Sequence, residues 1–430
     1  MDRRKRLALV MLLWCAFALL LSELAATGLV REWIDELADA LGLEAVVDLL
    51  GGVLTTLLLA LLVSLALVLI LHGHGGLALF RKSVPSGAQE RNKAGLALFR
   101  QGGYVAAIAE FTEALHLDPG LAAAFVNRGA ANFQMDKLDR ALADLDAALA
   151  LKPGLLDALG WRGQVWFKLG EFNKALADYN EALALRPDYP VALGNRAMVF
   201  VQKKEYDRAM ADLNRAIALG AKDGYLHATR GSLFLGREEY NRALDDFTMA
   251  IMLGQARPVE FSNRGMAWLG KKDYQQAIAD FDEALQIDPR FALAYNNRGV
   301  AYMNQGSYAQ AVADFRQASD LDPDFPNPYK NLAWLLATCP MAELRDGPAA
   351  VALAQKALHL VNYEVSAWFA ILAAAHAEAG NFEQAIHWQT RCLEKSTPKS
   401  KNQQEICLTA YRTKRPYYSQ IKLETGIIQP

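Results

Sequence analysis

Six arginines stand 34 residues apart: Arg128, Arg162, Arg196, Arg230, Arg264 and Arg298. Sixteen residues after each comes an aspartate, in turn Asp144, Asp178, Asp212, Asp246, Asp280 and Asp314. The chemistry open to such a set is ion pairing that sets register; anion binding by the arginines is the alternative. An unpaired charge at a packed seam is costly, so each arginine needs a partner, within its own repeat or in a neighbour. The first repeat has Ala94 in place of arginine yet keeps Glu110 at the acidic position, which tilts Arg128 toward Glu110. Catalytic patterns are missing from the sequence. No nucleophile–base pair or phosphate loop occurs, and Gly73-His74-Gly75-Gly76 has no strand–helix setting. His72 and His74 lack further ligands for a metal. Four cysteines without a Cys-x-x-Cys fit a reducing compartment, and a net charge of −2 offers no basic face for nucleic acid. The expectation is a binding protein with no enzyme activity, cofactor or metal.

The elements that carry the arginines are legible in one unit, Phe261 to Pro289. Phe261, Gly265 and Trp268 fall at i, i+4 and i+7 on one helix face. A polar turn, Gly270-Lys271-Lys272-Asp273, leads to a second helix with Ala277, Phe281 and Ala284 on its face. Asp288-Pro289 stops that helix, because proline lacks the amide donor and clashes with the preceding turn. Small residues opposite large ones let two helices interdigitate. The same constraints recur at Gly129, Ala141, Leu145, Ala148 and Pro153, and at Gly163, Ala175, Tyr179, Ala182 and Pro187. Self-similarity at this period means stacked units, none able to bury its hydrophobic face alone.

The pattern resembles the tetratricopeptide repeat. The resemblance implies an all-α fold, a right-handed α-α superhelix, over residues 89–395 with seven clear repeats and two degenerate ones. Gly220 and Gly254 replace the closing proline in two of the seven. The eighth unit inserts residues 337–348 before Ala350, Ala354 and Ala357 resume the pattern; the ninth keeps Ala373, Gly380, Phe382 and Ala385. Residues 396–430 read as a capping helix and tail, with Ile406, Leu408 and Tyr411 available to pack.

Upstream, residues 1–81 read as a membrane anchor and 82–88 as a linker. The runs 7–21 and 49–71 carry no charge; as helices of about 7–27 and 49–71 they reach the length of a bilayer core. A signal sequence is the alternative for the first. Arg3, Arg4, Lys5 and Arg6 precede the first run, and Arg81, Lys82, Arg91 and Lys93 follow the second. The stretch between holds Arg31 against Glu32, Asp35, Glu36, Asp39, Glu44 and Asp48. Positive-inside orientation then puts both termini and the repeats in the cytoplasm, on a multi-pass protein of a bacterial inner membrane.

In the tetratricopeptide family a second stripe of each first helix lines the inner concave wall. Here it holds Phe99, Phe133, Phe167, Met198, Val201, Leu235, Met266, Leu269, Val300 and Met303. Contiguous exposed apolar surface marks interaction sites, and methionine adapts to varied ligands. The expected ligands are peptide or helical segments of other proteins. Asn92, Leu96, Val126 and Ala130 stand where chaperone-binding members carry a lysine and asparagine clamp, so that mode is not expected. The expected role is a membrane-anchored interaction scaffold; the alternative is a homo-oligomeric platform.

Overall fold

A computed structural model describes residues 87–254, 256–361 and 366–416. Both apolar runs, the acidic stretch between them, His72, His74, the linker at 82–86 and the tail beyond 416 lie outside the described residues. The described residues form nineteen α-helices, one 3-10 turn and no strand. No helix among them is long and apolar enough to cross a membrane. Residues 87–94 and 113–119 fall in one compact unit, and 95–112 and 120–416 in another that holds every contact discussed below.

Helices alternate as first and second members of pairs. They are α1 (Gly87–Arg100) with α2 (Tyr104–Leu117), α3 (Ala122–Gln134) with α4 (Leu138–Leu151), and α5 (Leu156–Lys168) with α6 (Phe172–Leu185). Next come α7 (Pro190–Gln202) with α8 (Tyr206–Ala218), α9 (Gly224–Gly236) with α10 (Tyr240–Met252), and α11 (Pro258–Gly270) with α12 (Tyr274–Ile287). Then follow α13 (Ala292–Gln305) with α14 (Tyr308–Leu321), α15 (Pro326–Thr338) with α16 (Gly347–Leu360), and α17 (Ser366–Glu378) with α18 (Phe382–Glu394). A last helix, α19 (Pro398–Arg412), packs on α18. From α3 onward each helix touches the next in sequence order, giving an all-α tetratricopeptide-type solenoid.

Steric complementarity closes each pair. A Cβ built on Gly163 would lie 2.5 Å from the Tyr179 ring, and one on Gly265 would lie 2.7 Å from the Phe281 ring. Those rings are fully buried, each burial contributing roughly 1.5–3 kcal/mol. The turn inside eight of the nine pairs holds one left-handed residue. Gly102, Gly170, Gly306 and Gly380 supply it in four pairs; Asp136, Lys204, Glu238 and Lys272 occupy the same place in four others, at φ 59–64°.

The arginine–aspartate sets form a continuous ladder. Each arginine directs Nε and Nη2 at the aspartate of its own second helix, at 2.6–3.0 Å in all six repeats. The third nitrogen, Nη1, reaches back to the second helix of the preceding repeat. Its acceptors are Thr112, Asp146, Asn180, Asn214, Thr248 and Asp282, at 2.5–3.4 Å. Arg128 therefore differs from the expectation: its fork is on Asp144, and its backward arm ends on Thr112 where Glu110 was favoured. The reason is geometric, since one planar fork spans both second helices that flank it. The six aspartates are 3–7 % exposed, so they depend on these donors. Burial lifts the Asp314 carboxyl above the usual carboxylate range while Arg298 pulls it down, and the hydrogen bond to Asp178 holds Arg162 above the usual arginine range.

The eighth pair takes its insertion as a folded loop. Arg345 donates from Nε to Glu378 Oε1 and from Nη1 to the Cys339 carbonyl, both at 3.0 Å, while Asp346 caps α16 through Ala349 N at 2.9 Å. On α19, Leu408 and Tyr411 are buried, but Ile406 faces solvent; the helix turns Cys407 inward in its place.

Two outcomes follow from this packing. Gly163→Ala lowers stability because the Tyr179 ring must move, whereas Gly160→Ala, with no atom within 4 Å of the added carbon, raises it by about 0.5–1 kcal/mol; equal urea midpoints for the two variants would refute the close-approach account. Around Arg162, Asp178→Ala costs about 3–5 kcal/mol and Asp146→Ala at most about 1 kcal/mol, because their side chains are 6 % and 57 % exposed. Equal losses in chemical denaturation would show that the buried fork is no stronger than the exposed arm.

Candidate functional site: a cleft on the first helices

The first helices of successive repeats also touch one another from α3 onward, and the approach is loosest between α7 and α9. At that place lies a cleft of about 410 Å³, lined by α7, α9, α11 and the turns beside them. On α9 its lining is Tyr225, Ala228, Thr229, Ser232, Leu233 and Gly236, with Ala228, Ser232 and Gly236 at i, i+4 and i+8 along one side. Across from them α7 contributes Met198 and Val201, and α11 contributes Val259 and Asn263.

The helix beneath the cleft is held firmly. Asp223 caps α9 by accepting from Tyr225 N at 2.9 Å. On its far side, Asp246 of α10 takes the Arg230 fork and also lies 2.9 Å from His227 Nδ1, with both His227 and Asp246 buried. Four charged residues line the cleft: Lys204, Arg237, Arg257 and Glu260. Glu260 has a buried side chain paired with Arg257, and Arg237 donates to the exposed Asp207 at 2.6 Å. Lys204 sits in the left-handed region at φ 59°, a conformation costing a non-glycine residue roughly 1–2 kcal/mol.

The ten residues assigned to the wall from sequence divide into three groups. Met198 and Val201 line the cleft together. Leu235, Leu269 and Met303 do not belong to an open wall. They are buried, sharing clusters with Ala267, Ala301 and Ala337 of the following first helices. The small neighbour lets the next helix close over them. Phe99, Phe133, Phe167, Met266 and Val300 are half-buried. Phe133 packs against Trp161 with ring centres 5.7 Å apart and Phe167 against Phe172 at 5.8 Å, so part of each ring serves packing.

A second set was missed. Val191, Tyr225 and Val259 are 53 %, 41 % and 37 % exposed, and all three stand at the second position of α7, α9 and α11. Their 34-residue spacing was readable in the sequence as a column of its own. Tyr225 and Val259 line the cleft together with Met198 and Val201, and Val191 is exposed at the equivalent place on α7. Replacing Lys204 with glycine should raise the unfolding midpoint by the equivalent of about 0.5–1 kcal/mol; an unchanged or lower midpoint by calorimetry would mean that this turn carries no strain.

Tetratricopeptide repeat family models match residues 92–155, 156–189, 191–222 and 292–325, and a TPR repeat model matches 270–306. None of the curated proteins compared matches the chain. Among solved structures it is similar to a tetratricopeptide repeat protein from Parabacteroides merdae, with 22% identity, 55% of this chain and 93% of that one covered, and a TM-score of 0.41. It is similar to Pseudomonas aeruginosa pilF at 20% identity, 47% and 92% coverage and a TM-score of 0.43. It is also similar to yeast Tom70 at 14% identity, 76% and 96% coverage and a TM-score of 0.39. None of these likenesses bears on partner or mechanism. With the family models lying on the helix pairs described above, the chain carries tetratricopeptide repeats over residues 92–189, 191–222 and 270–325.

Proposed function

We propose that the chain is a membrane-anchored interaction scaffold, acting by binding rather than catalysis. Its first helices present a groove to peptide or helical segments of partner proteins, in the cytoplasm and beside a bacterial inner membrane. The observation that carries this reading is that Tyr225 and Val259, exposed at equivalent places on consecutive first helices, line the cleft together with Met198 and Val201. Apolar side chains left in water at adjacent repeats are the mark of a contact surface. Anchoring rests on the uncharged runs at 7–21 and 49–71 and on the positive residues flanking them. Tethering would raise the effective concentration of the groove near other membrane components without any new contact.

Cross-linked capture from membranes tests the proposal. Tyr225→Asp with Val259→Asp should lose partners that the wild type holds. Leu151→Asp with Leu185→Asp, also at exposed positions, should keep them. Identical partner lists from both variants would remove the groove from the mechanism. Removal of residues 1–81 should release the protein from alkali-washed membranes. Particle size growing with concentration in detergent would instead favour a self-assembling platform.

A further inference from the structure

We propose that the repeats lie with one edge on the bilayer, where exposed aliphatic side chains at the ends of the second helices enter the boundary between headgroups and acyl chains. This rests on the anchored reading of residues 1–81 and adds which side of the repeats meets lipid. The first support is a regularity. Five consecutive second helices, α4, α6, α8, α10 and α12, end on or next to an exposed aliphatic residue: Leu151, Leu185, Leu219, Met252 and Ile287, 40–74 % exposed. A Cβ built on Gly154 would lie 2.9 Å from Leu185 Cδ1, so that side chain sits over the loop between α4 and α5. The opposite edge, at the turns inside the pairs, is built differently. Positions 203–205, 237–239 and 271–273 are charged throughout. Across the laddered pairs, Leu169 is the one large apolar residue exposed at those turns among the described residues. One edge is made for water, and the other offers an aliphatic side chain at each step.

The second support is what lies within reach. Residues 72–86 join the uncharged run ending at Leu71 to α1 at Gly87, a tether of at most about 50 Å. On the anchored reading, the bilayer is the surface that the repeats meet constantly. Spacing favours lipid over a protein partner. The five side chains stand one per repeat with loops between them, so they make no contiguous apolar core of the kind a protein interface buries. In a headgroup layer each inserts singly. Charge then sets the kind of contact. Lys152, Arg186 and Lys222 follow the first three leucines, and their aliphatic stems carry the charge outward to headgroup phosphates. Asp157, Asp188 and Asp223 match them in number on the same stretches, so apolar insertion, and not lipid charge, holds this edge down.

Photo-cross-linking of the full-length protein in phosphatidylcholine vesicles tests the orientation. Benzoylphenylalanine placed at position 185 or 219 should give lipid adducts, read by mass spectrometry, at least about tenfold above those from position 169 on the opposite edge. The yield should hold when salt is raised to about 0.5 M, where surface charges are screened within a short distance, and change little when anionic lipid is added. Leu151→Asp with Leu185→Asp should lower the adduct from position 219 by about tenfold, while the melting temperature and the captured partners stay those of the wild type. Equal adducts from positions 169 and 185, or none from either, would overturn the orientation, and so would adducts lost as salt is raised. Full-length protein released from the vesicles by alkali would be the separate failure of the anchored reading. Protein retained through that wash without edge adducts would be the failure of the edge alone.

Discussion

A guanidinium has more donor edges than any one carboxylate can occupy, and this chain uses the surplus. Each of the six arginines closes a two-pronged contact inside its own repeat and spends its remaining nitrogen on the repeat before. A lysine would supply a charge without the plane, and so could not hold both second helices at fixed angles. The aspartates sit almost out of water, where a lost partner is expensive and a wrong register strands a charge. Hydrophobic burial supplies the bulk of the stability, but it is tolerant of sliding. The fork is not, and it makes each helix pair stack in one way.

That rigidity is what gives the cleft meaning. α9 is tied to α10 through Arg230, Asp246 and His227, and capped by Asp223, so the side chains it turns to the cleft are held in a set orientation. The opening lies where α7 and α9 approach less closely than the other successive first helices. Tyr225 and Val259 stay exposed at its border, apolar surface that the repeats themselves leave uncovered.

The helix pairs, their turns and the pairing of small with large residues were all legible in the sequence, because 3.6-residue and 34-residue periods are local properties of the chain. The ladder was legible as to its members but not as to which second helix each arginine joins. Spacing places Asp144 and Thr112 equally far from Arg128, and only the tilt of the helices gives the fork to one and the single arm to the other. The wall was legible least well. Leu235, Leu269 and Met303 share a helix face with Val201, yet whether that face stays open depends on how closely the next repeat leans over it. Ile406 and Cys407 differ for a related reason: one step around a helix exchanges core for solvent, and the packing partner decides the phase.

The backward arm of each arginine also says where this architecture can accept additional chain. Both of its contacts span sixteen residues, so an insertion inside any laddered pair would throw two neighbouring joints out of step at once. The eighth pair has Leu332 where its predecessors have arginine, and the ninth has Leu372. It is there, past the final rung at Arg298, that the chain lengthens into the loop clasped by Arg345. Growth and variation in this array are thereby steered to its end, while the stretch bearing the cleft is locked to a single repeat length.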